Sequence, residues 1–168
     1  LYPNAPSLNV DTRPVGVDFP FYEGWLVNST NKGLFSVAAD SFFNHSDRSL
    51  SLMVLYLARY ASGLTPSTVV QFSPVIACPL LVLAVYFFVM EADDSGCTPS
   101  LAAFLTVSSF HVSVGLFAFF LSNWMALIEL YLFMGFYFSW LRKKSPVRMA
   151  AALLLSISLL FTHSWTWG

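Results

Sequence analysis

Charge is what this chain has least of. Asp, Glu, Lys and Arg make up 10% of its 168 residues, against 57% hydrophobic and 17% aromatic, whereas a soluble domain carries about 25% charged residues. A water-soluble surface cannot be built from that supply. The net charge of −1 leaves no basic face to neutralise phosphates, which excludes a nucleic-acid partner. The two cysteines, Cys78 in an apolar run and Cys97 in a short loop, cannot make a disulfide framework and lack metal-ligand spacing. Also missing are a glycine loop able to cradle phosphate, a Cys/His metal cluster and a nucleophile elbow. No repeat or heptad occurs, and only residues 1–14, with Pro3, Pro6 and Pro14, read as a linker.

What the chain has instead is long uncharged runs. Val69 to Met90 is free of charge, enough for the roughly 20 residues that a spanning helix needs. Pro74 and Pro79 fall inside it and are tolerated where neighbouring helices satisfy the freed carbonyls. From Thr98 to Leu141 the only charge is Glu129. As one helix that stretch would be about 65 Å long, twice a bilayer core, so it must fold back. Ser122-Asn123 is the best break, giving spans 99–121 and 123–141 with Trp124 at an interface. A last apolar run, 147–163, leads into Ser164-Trp165-Thr166-Trp167, an aromatic belt.

Arg142, Lys143, Lys144 and Arg148 are half of the eight basic residues, and the loop that carries them should be cytoplasmic. Counting back puts residue 122 outside, the acidic loop of Glu91, Asp93 and Asp94 inside, and residues 1–68 outside. The fold class expected is therefore all-α: a polytopic protein of the cell membrane with about four spans after an extracytoplasmic segment with surface-lying helices. Arg48 to Leu64 tests this, because Arg59 interrupts it too early for a span. On a helical wheel Arg48, Leu52, Leu55, Arg59 and Ser62 share one side, and Leu50, Val54, Leu57, Ala61 and Leu64 the other, as in an interfacial helix over about 48–64. Were it to span, the parity would flip and residues 1–48 would be cytoplasmic. Two glycosylation acceptor patterns, Asn28-Ser29-Thr30 and Asn44-His45-Ser46, would be usable only outside the cytosol.

Few residues can carry chemistry. Asp18, in Gly16-Val17-Asp18-Phe19-Pro20-Phe21-Tyr22-Glu23, is flanked by aromatics, whose burial of the carboxylate would make it a stronger base. The plainer reading is a helix N-cap with Pro20 in the first turn. His111 and Glu129 are the ionisable groups within the spans, at similar depth on either side of the fold-back. They form either a functional site, the default for intramembrane charge, or a hydrogen-bonded pair holding the hairpin together. His163 should lie at the outer surface near Asn123, most simply as a packing residue.

The order of these parts resembles the C-type superfamily of membrane glycosyltransferases that use polyprenyl-phosphate sugars, such as protein O-mannosyltransferases and aminoarabinose transferases. Gly16 to Tyr22 looks like the family's acidic motif at the start of its first external loop. Ser49 to Phe72, with Gly63-Leu64-Thr65-Pro66, looks like its surface helix turning into the second span, although Gln71 stands where a basic residue is expected. Leu116 to Leu130 resembles the outer turn, with Asn123 where many relatives carry a second acidic residue.

The resemblance implies that Asp18 deprotonates the acceptor or binds a divalent metal ion. It implies that Glu23, Asn123 and His163 line the substrate site, and that the partners are the bilayer and a polyprenyl-phosphate-linked sugar. It also implies an internal piece of a longer enzyme, with the family's first span lying before Leu1. Two rivals remain: a transport or binding protein with an intramembrane Glu129/His111 site, and a structural subunit without chemistry.

Overall fold

The computed structural model describes Ser7, residues 16–93 and residues 96–163, apart from the side chain of Phe117. The linker, Asp94 and the aromatic tail lie outside the described residues. Among the described residues eight helices follow in chain order: α1 Phe19–Ser29, α2 Leu34–Asn44, α3 Ser49–Ser62, α4 Pro66–Ala92, α5 Thr98–Val107, α6 Phe110–Ala118, α7 Leu121–Lys143 and α8 Pro146–Thr162. Three stretches are long and apolar enough to cross a membrane, Pro66–Ala92, Thr98–Leu116 and Leu121–Lys143, and α8 is a shorter apolar helix.

The start and stop of α4 follow from its sequence. The Thr65 hydroxyl accepts from the Thr68 amide at 3.3 Å, and Pro66 occupies the first turn, where no amide donor is needed. The helix then runs through Pro74 and Pro79 without ending.

The next span departs from the expected single helix over 99–121. It breaks at Ser108 and Ser109, where the Ser108 hydroxyl donates to the Leu105 carbonyl and Ser109 caps a new helix by accepting from the Val112 amide. Serine side chains that bond nearby backbone offer the chain an alternative to the helical ladder. The fold-back also falls earlier than Ser122-Asn123, at Phe119 and Phe120, with Phe119 in the left-handed region at φ 63°. Both Ser122 and Asn123 already belong to α7.

Contacts at the helix ends fix the directions. Glu91, at the end of α4, meets Lys143 at the end of α7 and Arg148 at the start of α8, with N···O distances of 3.5 and 3.4 Å. The Arg142 guanidinium donates to the Glu91 carbonyl at 2.8 Å. Further along, Phe87 packs on Phe136 and Phe88 on Tyr131. Thus α4 and α7 run parallel, and α5, α6 and α8 return. Gly135 allows the close approach of α4 and α7, since a Cβ there would lie 2.5 Å from the Phe87 ring. α5 lies against α4, and α7 packs chiefly on α4 and α8. The two middle spans therefore do not form the tight hairpin expected of them.

Helices α1 to α3 gather at the end of the bundle opposite the basic loop. The Tyr22 hydroxyl donates to Ser122 Oγ at 2.9 Å, Ser49 Oγ to the Phe161 carbonyl at 3.0 Å, and Ser51 Oγ to the Thr162 carbonyl at 3.3 Å. Within this layer Trp25 Nε1 donates to Asp40 at 3.0 Å and the Tyr56 hydroxyl to the Lys32 carbonyl at 3.1 Å. Its core is Tyr22, Leu26, Leu52 and Trp124, all at most 1% exposed.

On α3 the uniformly apolar side of the wheel faces away from the bundle, as an interfacial helix requires. Leu52 and Leu55, on the side that carries the arginines, are buried against the protein. Val54, Leu57 and Leu64, on the uniformly apolar side, are each 48% exposed. Two leucines suffice to dock the arginine side, and the apolar side is left for whatever surrounds the molecule.

Candidate functional site

The acidic motif is built by its backbone. Gly16 has φ 133°, a conformation that side chains disfavour, and a Cβ on it would collide with Phe119. From that turn the Val17 and Asp18 amides donate to the Ala118 carbonyl at 3.0 and 3.4 Å, tying the start of α1 to the end of α6. Phe19 meets Phe119 edge-on at 5.3 Å. Asp18 occupies the N-cap position of α1, yet its side chain makes no capping hydrogen bond. The carboxylate is half-buried and not engaged as a cap.

One turn on, Tyr22 is fully buried, and its hydroxyl both donates to Ser122 Oγ and accepts from the Ser122 amide at 3.2 Å. Burial raises its pKa above the ordinary tyrosine value, against the opposing pull of the Ser122 hydrogen bond and of Arg48.

Arg48 precedes α3, donates to Asp47 at 2.9 Å, and holds its guanidinium 4.7 Å from the centre of the Phe21 ring. Partial burial disfavours its charge, but Asp47, Tyr22 and Asp18 outweigh that and hold the pKa above its usual value. His163, just past the end of α8, feels Arg48, Asp47 and Asp18. Asp18, Tyr22, Arg48 and His163 therefore share one electrostatic neighbourhood, built from α1, α3 and α8 and floored by the first turn of α7. Asn123 lies in that turn beside Ser122, half-buried, and Glu23 follows Tyr22 on α1, also half-buried.

Asp18 and His163 were candidates from sequence, and each lies within electrostatic reach of Arg48. Tyr22 and Arg48 were not singled out for chemistry. Tyr22 lay in the quoted motif, but its partner is 100 residues away. Arg48 read as one charge on a helical wheel.

The His111 and Glu129 pair does not form. Ser158 Oγ and Thr162 Oγ1 donate to the Glu129 carboxylate at 2.9 and 2.8 Å, so its partners are on α8. The His111 side chain is exposed on α6, and the Trp124 indole donates to its carbonyl at 2.7 Å. The expectation failed because it took α6 and α7 as a close hairpin, whereas the face of α7 that carries Glu129 packs on α8.

Among the described residues no group of three or more His, Cys, Asp and Glu could hold a metal ion. Around Asp18 the remaining donors are interleaved with Arg48, which repels a cation. Among the described residues, those around Asp18 do not fit a divalent metal site.

By its fold the chain is a helical membrane protein of several spans. Comparison with protein-family models, with curated proteins and with solved structures gives no match.

Proposed function

We propose that the chain belongs to a membrane glycosyltransferase that moves a sugar from a polyprenyl-phosphate donor to an acceptor, with the α1–α3 layer on the outer face of the cell membrane. What supports this reading is that a carboxylate, an arginine and a histidine from three distant segments lie within electrostatic reach of one another at one end of the bundle, with the carboxylate free of a capping bond. A lipid-borne donor brings its phosphate to that level, and an acceptor arrives from the water side. Holding the two together removes much of the entropic barrier.

In this mechanism Asp18 takes the proton of the acceptor hydroxyl as its oxygen attacks the anomeric carbon. The bond from that carbon to the phosphate oxygen breaks, configuration inverts, and lipid phosphate leaves. Arg48 offsets the negative charge that gathers on the departing phosphate. Glu23, Asn123 and His163 would line the acceptor side.

Asp18→Asn in the intact protein, assayed in membranes with a lipid-linked sugar donor, should lower transfer by roughly 10²–10⁴-fold while leaving the protein folded. Asparagine caps a helix about as well as aspartate, so a capping role predicts nearly full transfer. That outcome would remove Asp18 from the chemistry.

A further inference from the structure

Two triplets in the α1–α3 layer carry the acceptor pattern for an N-linked sugar, and the fold treats them differently. Asn28-Ser29-Thr30 ends α1, and Thr30 continues the helical backbone at φ −57°, ψ −38°. Asn28 is exposed, but Ser29 is buried and its hydroxyl donates to the Trp25 carbonyl at 2.8 Å. The Thr30 hydroxyl donates to the Leu26 carbonyl at 2.9 Å. Residues two apart in a helix do not face each other, so this triplet cannot present its amide and its last hydroxyl to one enzyme.

Asn44-His45-Ser46 is built the opposite way. Asn44 closes α2, and His45 leaves the helix at φ −134°, ψ 43°. The Arg48 amide then donates to the His45 carbonyl at 3.1 Å, closing a turn that contains Ser46. Asn44 and Ser46 are both exposed, as a bulky carbohydrate requires of its attachment site. The Asn44 side-chain nitrogen donates to Asp40 Oδ1 at 2.8 Å. An amide nitrogen carries two donors, so that bond needs only one of them.

We propose that Asn44 is a site of N-linked glycosylation and that Asn28 is not. The assignment rests on the outer placement of the α1–α3 layer in the function proposed above, because sugar reaches such triplets only outside the cytosol. The donor is an oligosaccharide carried on a lipid pyrophosphate, and the transferring enzyme is a separate protein. Asn44 Nδ2 bonds to the anomeric carbon as the bond from that carbon to the phosphate oxygen breaks. Lipid pyrophosphate leaves with the electron pair, and one amide proton passes to a base of the transferring enzyme. The remaining N–H keeps its bond to Asp40, so the end of α2 is undisturbed.

The test translates the intact protein into sealed microsomes that carry N-glycosylation machinery, and reads gel mobility before and after an amidase that removes N-linked sugar. The parent and Asn28→Gln should each run slower by one glycan and lose that shift on treatment. Asn44→Gln and Ser46→Ala should run at the deglycosylated position, whereas Ser46→Thr, which keeps the hydroxyl, should retain the shift. Ser46→Ala leaves the bond from Asn44 to Asp40 in place, so its loss of glycan is not a loss of fold. A membrane-impermeant maleimide reads the orientation in the same vesicles, whose outer face is the cytosolic one. The proposed orientation exposes Cys97 and protects a Tyr60→Cys variant. A parent without glycan in that orientation overturns this assignment alone. A parent without glycan in the reverse orientation overturns it together with the outer placement. A shift lost in Asn28→Gln, or retained in Asn44→Gln, also overturns the assignment.

Discussion

At the scale of single residues, the Asp18 neighbourhood depends on two residues that do no chemistry themselves. Gly16 aims the motif, and Tyr22 pins it to α7. Tyr22→Phe keeps the buried ring and removes the hydroxyl, leaving Ser122 Oγ and its amide without their partner. A buried polar group left unsatisfied costs about 1–3 kcal/mol, so this variant should unfold at a measurably lower temperature in a calorimetric scan. An unchanged midpoint would mean that the tyrosine does not hold α1 on the bundle. Asp18 could be picked out in the sequence because a carboxylate amid aromatics next to a proline is unusual on its own. The value of Tyr22 could not, because it resides in a serine 100 residues away. Nothing local to Glu129 said that α8 rather than α6 would satisfy it.

Among the helices, α4 and α7 were the easiest to read. An uncharged run of about 20 residues leaves the chain few options in a bilayer, and basic residues close α7 at Lys143. The break at Ser108 and Ser109 was not legible, since serine is common within membrane helices and only its hydrogen bonds distinguish a break from a continuation.

The junction of α1 and α2 offers a test by pH. Asp40 titrates below the ordinary aspartate range chiefly through its hydrogen bond from Asn44, helped by Trp25, while slight burial opposes them. A carboxyl with a depressed folded pKa stabilises the fold above its unfolded value of about 3.9. That contribution is lost as pH falls through the lower folded value. The stability difference between the parent and Asp40→Asn should therefore be greatest near neutrality and shrink as pH falls below the unfolded value of about 3.9, as followed by thermal unfolding at a series of pH values. A difference that grows on acidification would contradict the assignment.

On the whole molecule, each end of the bundle is closed by a different kind of contact. At one end a single buried carboxylate, Glu91, gathers Lys143 and Arg148 while its carbonyl accepts from Arg142. At the other, neutral hydroxyls and aromatic rings tie the α1–α3 layer to α6, α7 and α8. Basic residues concentrate on the cytoplasmic side of membrane proteins, and the proposed orientation, with the Glu91 end in the cytosol and Asp18 outside, follows that rule. The chain carries its own reporter, since Cys97 is exposed and adjoins α5 at the Glu91 end. Tyr60, 77% exposed on α3, supplies a site at the opposite end. In intact cells a membrane-impermeant maleimide should label the Tyr60→Cys variant and spare Cys97, and permeabilisation should then expose Cys97. Cys78 is half-buried within α4 and is replaced by serine so that it adds no background. Labelling of Cys97 in intact cells, with Tyr60→Cys protected, would turn the molecule over. Asp18 would then face the cytosol, away from a donor presented on the outer leaflet, and the sugar-transfer reading would fail on topology alone.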